Sequence, residues 1–362
     1  MIYLAYIVAS FTALQLAVAL INLIFRQKLP RAQGSGALVS VLIPARNEET
    51  NIATILSDLQ QQDYQNMEVI VFNDQSTDRT AEMVQEFSNI DNRIKLINST
   101  GLASGWLGKN YACHSLAKQA SGDFLLFLDA DVHLMKDIIN RTIGYATRNE
   151  LGLLSIFPTQ RMKTLGERFT VPIMNFILLS LLPLLLVQKS RFVSLSAANG
   201  QFMLFNATIY KKYLPHKEMK NHRVEDIAIA RYLKRNNIKI ACLTGDQDIQ
   251  CRMYTDAGEA IRGFSKNVLS FFGESVFFSI LFWLITTVGF IPILITHGTK
   301  EFVLYAAVIL LIRVFISISS KQSVVKNILL LIPQQFALGV IISRAIQNKF
   351  KKKYQWKGRN IY

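Results

Sequence analysis

Cysteine is scarce in this chain of 362 residues. The sequence contains 3 cysteines, and no two of them form a C-x-x-C pair. A disulfide framework and a zinc site of paired spacing are therefore excluded, and we expect three reduced thiols facing the cytosol. The sequence also lacks a glycine-rich phosphate loop, which disfavours a Rossmann dehydrogenase and a P-loop enzyme.

Acidic residues are also few, 25 against 40 basic ones, which leaves a net charge of +15. Such a charge can indicate a nucleic-acid partner, but the sequence has no aromatic RNA-binding signature and no continuous basic helix. We therefore expect no nucleic acid. The basic residues lie beside apolar blocks instead, where anionic lipid and the positive-inside bias account for them. Those residues are Arg26, Lys28, Arg31, Lys349, Lys351, Lys352 and Lys353.

Apolar residues make up 51% of the chain and are concentrated in blocks at both ends. The first block, residues 2–25, is uncharged and long enough to cross a bilayer, which takes about 20 apolar residues. Its basic residues come after the apolar core, whereas a signal peptide carries them before it. We therefore predict an uncleaved transmembrane anchor at residues 1–25, with the rest of the chain in the cytosol.

The second half of the chain holds more apolar stretches, and we predict membrane helices within residues 275–346. Residues 275–296 and 302–318 are the better candidates for full spans. Residues 328–342 are interrupted by a Pro-Gln-Gln sequence. A full span there would place the basic tail, residues 347–362, outside the cell, so we expect a re-entrant or interfacial segment.

Residues 171–187 form another nearly continuous apolar stretch, with two prolines in it. The stretch barely reaches spanning length, so it is predicted to lie in the membrane interface or to dip into it. A buried core helix is the alternative.

The middle of the chain alternates between strand and helix patterns. This order implies an α/β domain with a mainly parallel sheet, whose ligands bind at the carboxyl ends of the strands. The predicted strands are residues 39–43, 69–72, 94–97 and 124–128, and the predicted helices between the first three are residues 48–61 and 78–87.

Two carboxylates, Asp129 and Asp131, follow the last of these strands. Neighbouring positions on a strand point to opposite faces, so a turn is needed to bring both side chains to one ion. Carboxylate oxygens suit Mg²⁺ or Mn²⁺, which keep positions open for water and for substrate phosphates. The alternative is an acidic loop that binds no metal.

Four motifs in this order resemble those of family 2 glycosyltransferases of the GT-A fold, and the resemblance covers residues 38–267. The resemblance implies an α/β catalytic domain with a Rossmann-like mixed sheet. It also implies a multi-pass protein of the cell (inner) membrane, with the catalytic domain in the cytosol. The motifs are Pro44-Ala45-Arg46-Asn47-Glu48, Asn73-Asp74-x-Ser76-Thr77-Asp78, Asp129-Ala130-Asp131 and Glu225-Asp226.

Further segments look like membrane glycosyltransferases that act on carotenoid acids, hopanoids or ceramide. These segments are Gly105-Trp106-x-Gly108-Lys109, Cys251-Arg252-Met253-Tyr254, Gly263-Phe264-Ser265-Lys266-Asn267 and Trp356-Lys357-Gly358-Arg359.

The resemblance implies a role for each motif residue in binding a UDP-sugar. Asp74 accepts a hydrogen bond from uracil N3, or is a turn residue. Asp131 binds the metal that bridges the diphosphate, and Asp129 points toward the ribose or the metal. The nucleoside pocket is completed by Glu48, the backbone of Pro44 and Ala45, and Arg46 of the same motif.

Three cations are candidates for the diphosphate. The family often carries Gln-x-x-Arg-Trp after its base, and here Glu259-x-x-Arg262-Gly263 keeps the spacing but departs at both ends. Arg252 is a rival to Arg262, and Lys109 either adds a positive contact or is solvated. A third metal ligand could come from His133 or His222, although a lone histidine is more often structural.

Asp226 is the predicted general base, because an inverting transfer needs one carboxylate to take the acceptor's proton. Glu225 is the fallback. Apolar residues follow the pair, so an ordinary acidic helix start is the alternative.

The predicted function is a metal-dependent, inverting transfer of a sugar, glucose from UDP-glucose, to a hydroxyl or carboxylate of a lipid at the cytosolic leaflet. One alternative is transfer to a polyprenyl phosphate. Another is a non-catalytic membrane scaffold with a degenerate nucleotide fold, against which Asp129, Asp131 and Asp226 argue.

Overall fold

The computed structural model describes residues 1–30, 36–351, 355–356 and 359–360. Five residues named in the predictions above lie outside these ranges: Arg31, Lys352, Lys353, Lys357 and Gly358.

The described strands are numbered in chain order. They are β1 (Val39–Ala45), β2 (Met67–Asn73), β3 (Ile94–Asn98), β4 (Phe124–Leu128), β5 (Val132–Leu134), β6 (Leu153–Phe157), β7 (Thr159–Gln160), β8 (Phe202–Asn206), β9 (Ile240–Thr244), β10 (Ile249–Cys251), β11 (Gln355–Trp356) and β12 (Arg359–Asn360).

The helices are numbered in the same way. They are α1 (Ile2–Ile24), α2 (Ile52–Gln60), α3 (Thr80–Ile90), α4 (Gly108–Gln119), α5 (Ile138–Arg148), α6 (Leu165–Thr170), α7 (Pro172–Leu181), α8 (Leu185–Lys189), α9 (Ala207–Tyr213), α10 (Pro215–Glu218), α11 (Glu225–Arg235), α12 (Ala257–Asn267), α13 (Val276–Val288), α14 (Phe290–His297), α15 (Thr299–Ser319), α16 (Val324–Leu329) and α17 (Leu331–Lys351), with a 3₁₀ turn at Val268–Phe272.

Seven strands form one mixed sheet in the order β3-β2-β1-β4-β8-β6-β9. The strands from β3 to β4 are parallel, and β8 runs antiparallel to both of its neighbours. The chain builds outward from β1 in one direction and then returns to add β4 on the other side of β1. In open α/β sheets, ligands bind at such a switch point, outside the carboxyl ends of the strands.

The central strands are buried on both faces, as parallel strands covered by helices are expected to be. All five residues of β4 are buried. Along β1, Val41 and Ile43 pack into one core cluster while Leu42 packs into the other. The alternation places a hydrophobic layer on each side of the sheet and leaves the strand ends for polar residues. The predicted α/β mixed sheet is therefore confirmed, and β4 has the bounds predicted from sequence.

The helix predicted at residues 48–61 is wrong at its start, since α2 begins at Ile52. The preceding backbone is engaged by the loop that follows β2. Glu48 N donates to Thr80 Oγ1 at 2.8 Å, and Glu49 N donates to Asp78 Oδ2 at 3.1 Å. A helix that began at Glu48 would leave its first amide groups without helical partners. Here the side chains of Asp78 and Thr80 bind those amide groups instead.

Two helices, α1 and α15, are long and apolar enough to cross a membrane, and a third candidate is a pair bent by 100° that joins residues 257–272 to α13. The predicted segment at residues 275–296 is present as α13 and α14, which are separated by Gly289 alone. Gly289 keeps a right-handed helical conformation, so the two helices follow one another with only a single-residue break.

Arg26 joins the end of α1 to the end of α15 and to the domain that contains the seven-stranded sheet. Its Nε donates to Ser319 O at 2.9 Å, its Nη2 donates to Gly245 O at 2.9 Å, and its Nη1 lies 3.2 Å from Asp246 Oδ2. The C-terminal ends of both long apolar helices therefore face the sheet domain.

The apolar stretch at residues 171–187 is divided into α7 and α8, and both pack against protein. Asn22 of α1 binds the break between them, donating to Leu179 O and Leu182 O at 3.0 and 2.9 Å and accepting from Leu184 N at 2.8 Å. A buried asparagine with three partners holds this segment against α1.

The last helix, α17, begins where the sequence pattern was interrupted. Pro333 is tolerated in its first turn, where a missing N–H breaks no helical bond. Gln334 Oε1 accepts from Arg313 of α15 at 3.1 Å, and Gln335 O accepts from Trp283 Nε1 of α13 at 3.0 Å. At its other end, Lys349 donates to Glu274 O at 2.8 Å, just before α13. The helix thus starts beside the middle of α13 and returns toward the domain.

Candidate active site

The loops after β1 and β2 meet at the base of the candidate site. Ala45 pairs with Asn73 at the ends of these strands, and Asp74 N donates to Ala45 O at 2.8 Å. Arg46 Nη1 donates to Asp74 O at 2.6 Å. These contacts hold the Pro44–Glu48 motif against the residues that follow β2.

Asn73 and Asp78 make turn-forming bonds in this region. Asn73 Oδ1 accepts from Ser76 N at 3.0 Å, and Asp78 Oδ1 accepts from Thr80 N at 3.1 Å. The side chain of Asp74 is buried, with 3% exposure. Its placement at the sheet edge suits a nucleoside contact, whereas Asn73 and Asp78 shape the loop.

Lys109, the second residue of α4, joins the motif after β4 to the motif at the start of α11. Its Nζ lies 2.8 Å from Asp129 Oδ1 and 3.4 Å from Glu225 Oε1. Burial opposes the charged amine, but the two carboxylates together hold the pKa of Lys109 well above its usual range. Lys109 is therefore a fixed cation inside the site and is not a solvated lysine.

Asp131 lies on the turn between β4 and β5. Its Oδ1 is buried without a hydrogen-bond partner among the described residues, and its Oδ2 lies 3.5 Å from Gln201 Nε2. Burial, and next the charges of Asp129 and Glu48, raise the pKa of Asp131 to about 7. An unsatisfied carboxylate oxygen in acidic surroundings fits a divalent cation, which would supply the missing partner.

Within the described part of the chain, no three His, Cys, Asp or Glu residues are grouped so that they could hold a metal ion. His133 lies on β5, with its Nδ1 3.6 Å from Asp58 Oδ2, and His222 is exposed. Metal binding by Asp129 and Asp131 therefore remains a prediction. Mg²⁺ and Mn²⁺ sites of this kind are completed by water and substrate phosphate.

Asp226 is the second residue of α11. Its Oδ2 accepts from Gly200 N at 2.9 Å, and its Oδ1 accepts from Ile227 N at 2.7 Å. Burial, and next the charge of Glu225, raise the pKa of Asp226 to about 7. A carboxylate with a pKa near neutrality is suited to exchange a proton at physiological pH. Glu225 itself faces Lys109.

Gly200 and Gln201 belong to the site and were missed by the sequence reasoning. Strand β8 is antiparallel to β4, with Leu128 opposite Phe202, so the residues before β8 reach the edge where β4 ends. Asp129 N donates to Gln201 O at 3.2 Å. The only local signal is a run of small and polar residues, 196–201, before a buried strand.

The two candidate arginines lie in different surroundings. Arg252 Nε donates to Oε1 of the buried Glu167 at 2.7 Å, which links β10 to α6. Arg262 is exposed on α12 and lines a groove beside α17. Diphosphate binding by either residue remains a prediction, and Lys109 is the cation that contacts both acidic motifs.

Residues 40–214 match the model of glycosyl transferase family 2. A 4,4'-diaponeurosporenoate glycosyltransferase of Staphylococcus haemolyticus is 31% identical over 242 residues, which are 64% of this chain and 60% of the relative. The chain thus spans less than two thirds of that relative's length. The enzyme of the same name from Staphylococcus aureus is 27% identical over 263 residues, 69% of this chain and 67% of the relative.

One solved structure matches along almost the whole chain. The mannosyltransferase PcManGT of Pyrobaculum calidifontis, solved with GDP-mannose and Mn²⁺, aligns with a TM-score of 0.55 and 15% identity, over 97% of this chain and all of that one. This likeness supports the GT-A-like fold.

We predict that Gly200→Ala lowers turnover of a nucleotide sugar by up to about 10-fold, because the added methyl group displaces its neighbours by a few tenths of an ångström, whereas a full ångström costs about 10² in rate. A methyl group at Gly200 would lie 3.1 Å from Lys109 Nζ and 3.3 Å from Glu225 Oε1. Steady-state kinetics measures the effect, and thermal unfolding checks that the variant is folded. A folded variant with wild-type turnover would show that these groups do not act in the reaction.

Proposed function

We propose that this chain is an inverting glycosyltransferase that moves a sugar from a nucleoside diphosphate donor to a lipid acceptor at the membrane surface. The observation that carries the proposal is the meeting of the acidic motifs at one sheet edge, where Lys109 contacts both Asp129 and Glu225. The family 2 domain supports the reaction class.

The nucleoside pocket is assigned to the loops after β1 and β2. Asp74 would accept a hydrogen bond from the base, with Glu48, Arg46 and the backbone of Pro44 and Ala45 around it. The support is their common position at the switch point, where Asp74 N is bonded to Ala45 O. We take UDP-glucose as the first donor to test.

Asp131 and Asp129 would hold Mg²⁺ or Mn²⁺. Such an ion, when bound, neutralises negative charge on the diphosphate leaving group. Asp131 is the stronger candidate ligand, since its Oδ1 has no hydrogen-bond partner among the described residues while Asp129 is already paired with Lys109. Lys109 supplies a second positive charge at the same edge, where negative charge develops in the transition state.

Asp226 is assigned as the group that handles the acceptor's proton. In a single displacement, an acceptor oxygen bonds to the anomeric carbon while the bond from that carbon to the diphosphate breaks. For a hydroxyl acceptor, the proton passes to Asp226. The Gly200 amide fixes one carboxylate oxygen of Asp226 and so orients the base.

Two observations favour different acceptors. The curated relatives are named for 4,4'-diaponeurosporenoate, a carotenoid acid, which favours a carboxylate on an apolar chain. A base with a pKa of about 7 favours a hydroxyl, because a carboxylate or a phosphate is already ionised at neutral pH. The carotenoid-type acid is our first candidate and a lipid hydroxyl is the second.

A location in the cell membrane, with the catalytic domain in the cytosol, is supported by α1 and α15. Both helices end beside the sheet domain, where Arg26 joins them. The return of α17 brings Lys349 to the same side, beside Glu274. Basic residues at the domain side of the membrane helices agree with a cytosolic domain.

Asp131→Asn is expected to abolish transfer while leaving the unfolding midpoint nearly unchanged, since the side chain lies on a turn. A chelator should stop the wild-type reaction, and Mn²⁺ or Mg²⁺ should restore it. Asp63→Asn, at an exposed turn after α2, is the matched control. Undiminished wild-type turnover in excess chelator would remove the metal from the mechanism.

Asp74→Ala is expected to weaken UDP binding by about 1–3 kcal/mol, the usual cost of losing a hydrogen bond to a charged group. Calorimetry with UDP measures this. Asp78→Ala is the control from the same loop, because its carboxylate binds loop atoms of Glu49 and Thr80. If both variants lose stability equally and keep their UDP affinity, Asp74 is a turn residue.

Asp226→Asn and the pH profile together identify the acceptor. With a hydroxyl acceptor, transfer should rise as pH increases through about 7, and the variant should lose about 10²–10⁴ in rate, the usual value of a positioned base. With a carboxylate acceptor, ionised Asp226 repels the acceptor, so kcat/KM should fall over the same pH range and the variant should lose little.

Single-turnover transfer at saturating donor, with donor affinity measured in parallel, provides these data. A pH-independent reaction that is unaffected in Asp226→Asn would leave Asp226 without a role. An equal loss in Glu225→Gln would assign the base to Glu225.

A further inference from the structure

A groove of about 840 Å³ runs between α12 and α17, outside the candidate active site. Its floor includes Trp283 of α13. The Asn348 side chain donates to Ser265 Oγ at 3.3 Å and holds α17 beside α12 at one end of the groove. A volume of this size suits an extended organic ligand and is far larger than a phosphate ion or a water molecule needs.

Four cations line the groove: Arg262, Lys266, Arg344 and Lys351. Arg262 and Lys266 are four residues apart and therefore share a face of α12. Among the described residues, none of the four takes part in an ion pair, and no acidic residue lies in the lining. The groove therefore concentrates positive charge that no ion pair among the described residues neutralises.

The opposite end of the groove is apolar. Phe336 and Val340 precede Arg344 at helical spacing on α17, and their side chains are exposed by 72% and 50%. Trp283 lies beside them on α13, a helix on which the apolar side chains of Phe277, Phe278, Leu281, Leu284 and Val288 are exposed. The polarity thus changes along α17 from apolar near Phe336 to cationic near Lys351, over roughly 22 Å at 1.5 Å per residue.

The groove is separate from the reacting groups. Tyr254 lies between α12 and the acidic edge. On one side, a methyl group at Gly263 of α12 would overlap the Tyr254 ring. On the other side, the charge of Asp131 acts on the Tyr254 hydroxyl. A ligand headgroup at Lys266 would thus have helix α12 and Tyr254 between it and Asp131. The groove is not the place where the sugar is transferred.

We propose that this groove binds an anionic glycerophospholipid of the surrounding membrane, with its phosphate between Lys266 and Arg344 and an acyl chain along Phe336, Val340 and Trp283. The inference rests on the membrane placement proposed above. Charge complementarity and continuity with the apolar surface of α13 support this occupant. The bound lipid joins α17 to α12, the helix that packs against Tyr254 beside the acidic edge.

Trp283 provides a direct probe. The full-length protein is placed in phosphatidylcholine nanodiscs that contain increasing fractions of phosphatidylglycerol with brominated acyl chains, which quench tryptophan fluorescence on contact. The difference in quenching between the wild type and Trp283→Phe isolates the groove from the other tryptophans. We expect saturable quenching at low fractions of brominated phosphatidylglycerol, and weaker, non-saturating quenching by brominated phosphatidylcholine.

Lys266→Gln/Arg344→Gln should raise the half-saturating fraction of phosphatidylglycerol by about tenfold or more, because each basic residue at an anionic surface contributes about fivefold. Lys28→Gln/Lys326→Gln removes the same charge at two exposed positions outside the groove and should change it little. If the double variant does not fold, Arg344→Gln alone should shift the fraction by about fivefold.

Equal quenching by the two phospholipids, or an equal shift in both double variants, would overturn the proposal. Saturable quenching by a brominated fatty acid but not by phosphatidylglycerol would also overturn it, and would assign the groove to a carboxylic acid. Sugar transfer and UDP affinity are measured on the same samples. If the wild type shows the expected quenching but transfers no sugar, the proposed function is refuted and the lipid site is still supported.

Discussion

Mutual repulsion of carboxylates is the constraint on which this site depends. The motifs after β4 and at the start of α11 bring several acidic side chains to one sheet edge, where burial weakens their hydration. Lys109 offsets this through its contacts with Asp129 and Glu225. Burial, and next the neighbouring negative charges, raise the pKa values of both Asp131 and Asp226 to about 7. At this edge, Asp131 is therefore suited to bind a further positive charge, and Asp226 is suited to exchange a proton.

Much of the fold follows from local patterns in the sequence. Buried strands with polar residues at their ends predicted both the parallel part of the sheet and the meeting of the first three motifs, because the carboxyl ends of parallel strands share one edge. Gly200 and Gln201 could not be predicted in this way. They reach the site through β8, whose antiparallel pairing with β4 and β6 joins segments far apart in the chain.

The C-terminal helices show the same limit. An apolar stretch of the sequence is interrupted by Pro333, Gln334 and Gln335. The re-entrant or interfacial segment expected there follows from the charge of the basic tail and does not explain these three residues. The structure gives the physical reason for the two glutamines, since the side chains of Gln334 and Gln335 accept hydrogen bonds from Arg313 of α15 and Thr287 of α13. Polar residues within an apolar region are retained where they satisfy one another. Their partners lie on other helices, so the local sequence cannot identify them.

The three-pronged attachment of Arg26 has a kinetic consequence. The Arg26 guanidinium binds Ser319, Gly245 and Asp246. The sheet domain is therefore attached directly to the ends of α1 and α15. For a protein embedded as proposed, the catalytic edge then stays at one height above the bilayer. Encounters with a lipid acceptor become a search in two dimensions, whose rate depends on the number of acceptor molecules per unit area of membrane, while the soluble donor still arrives from the bulk.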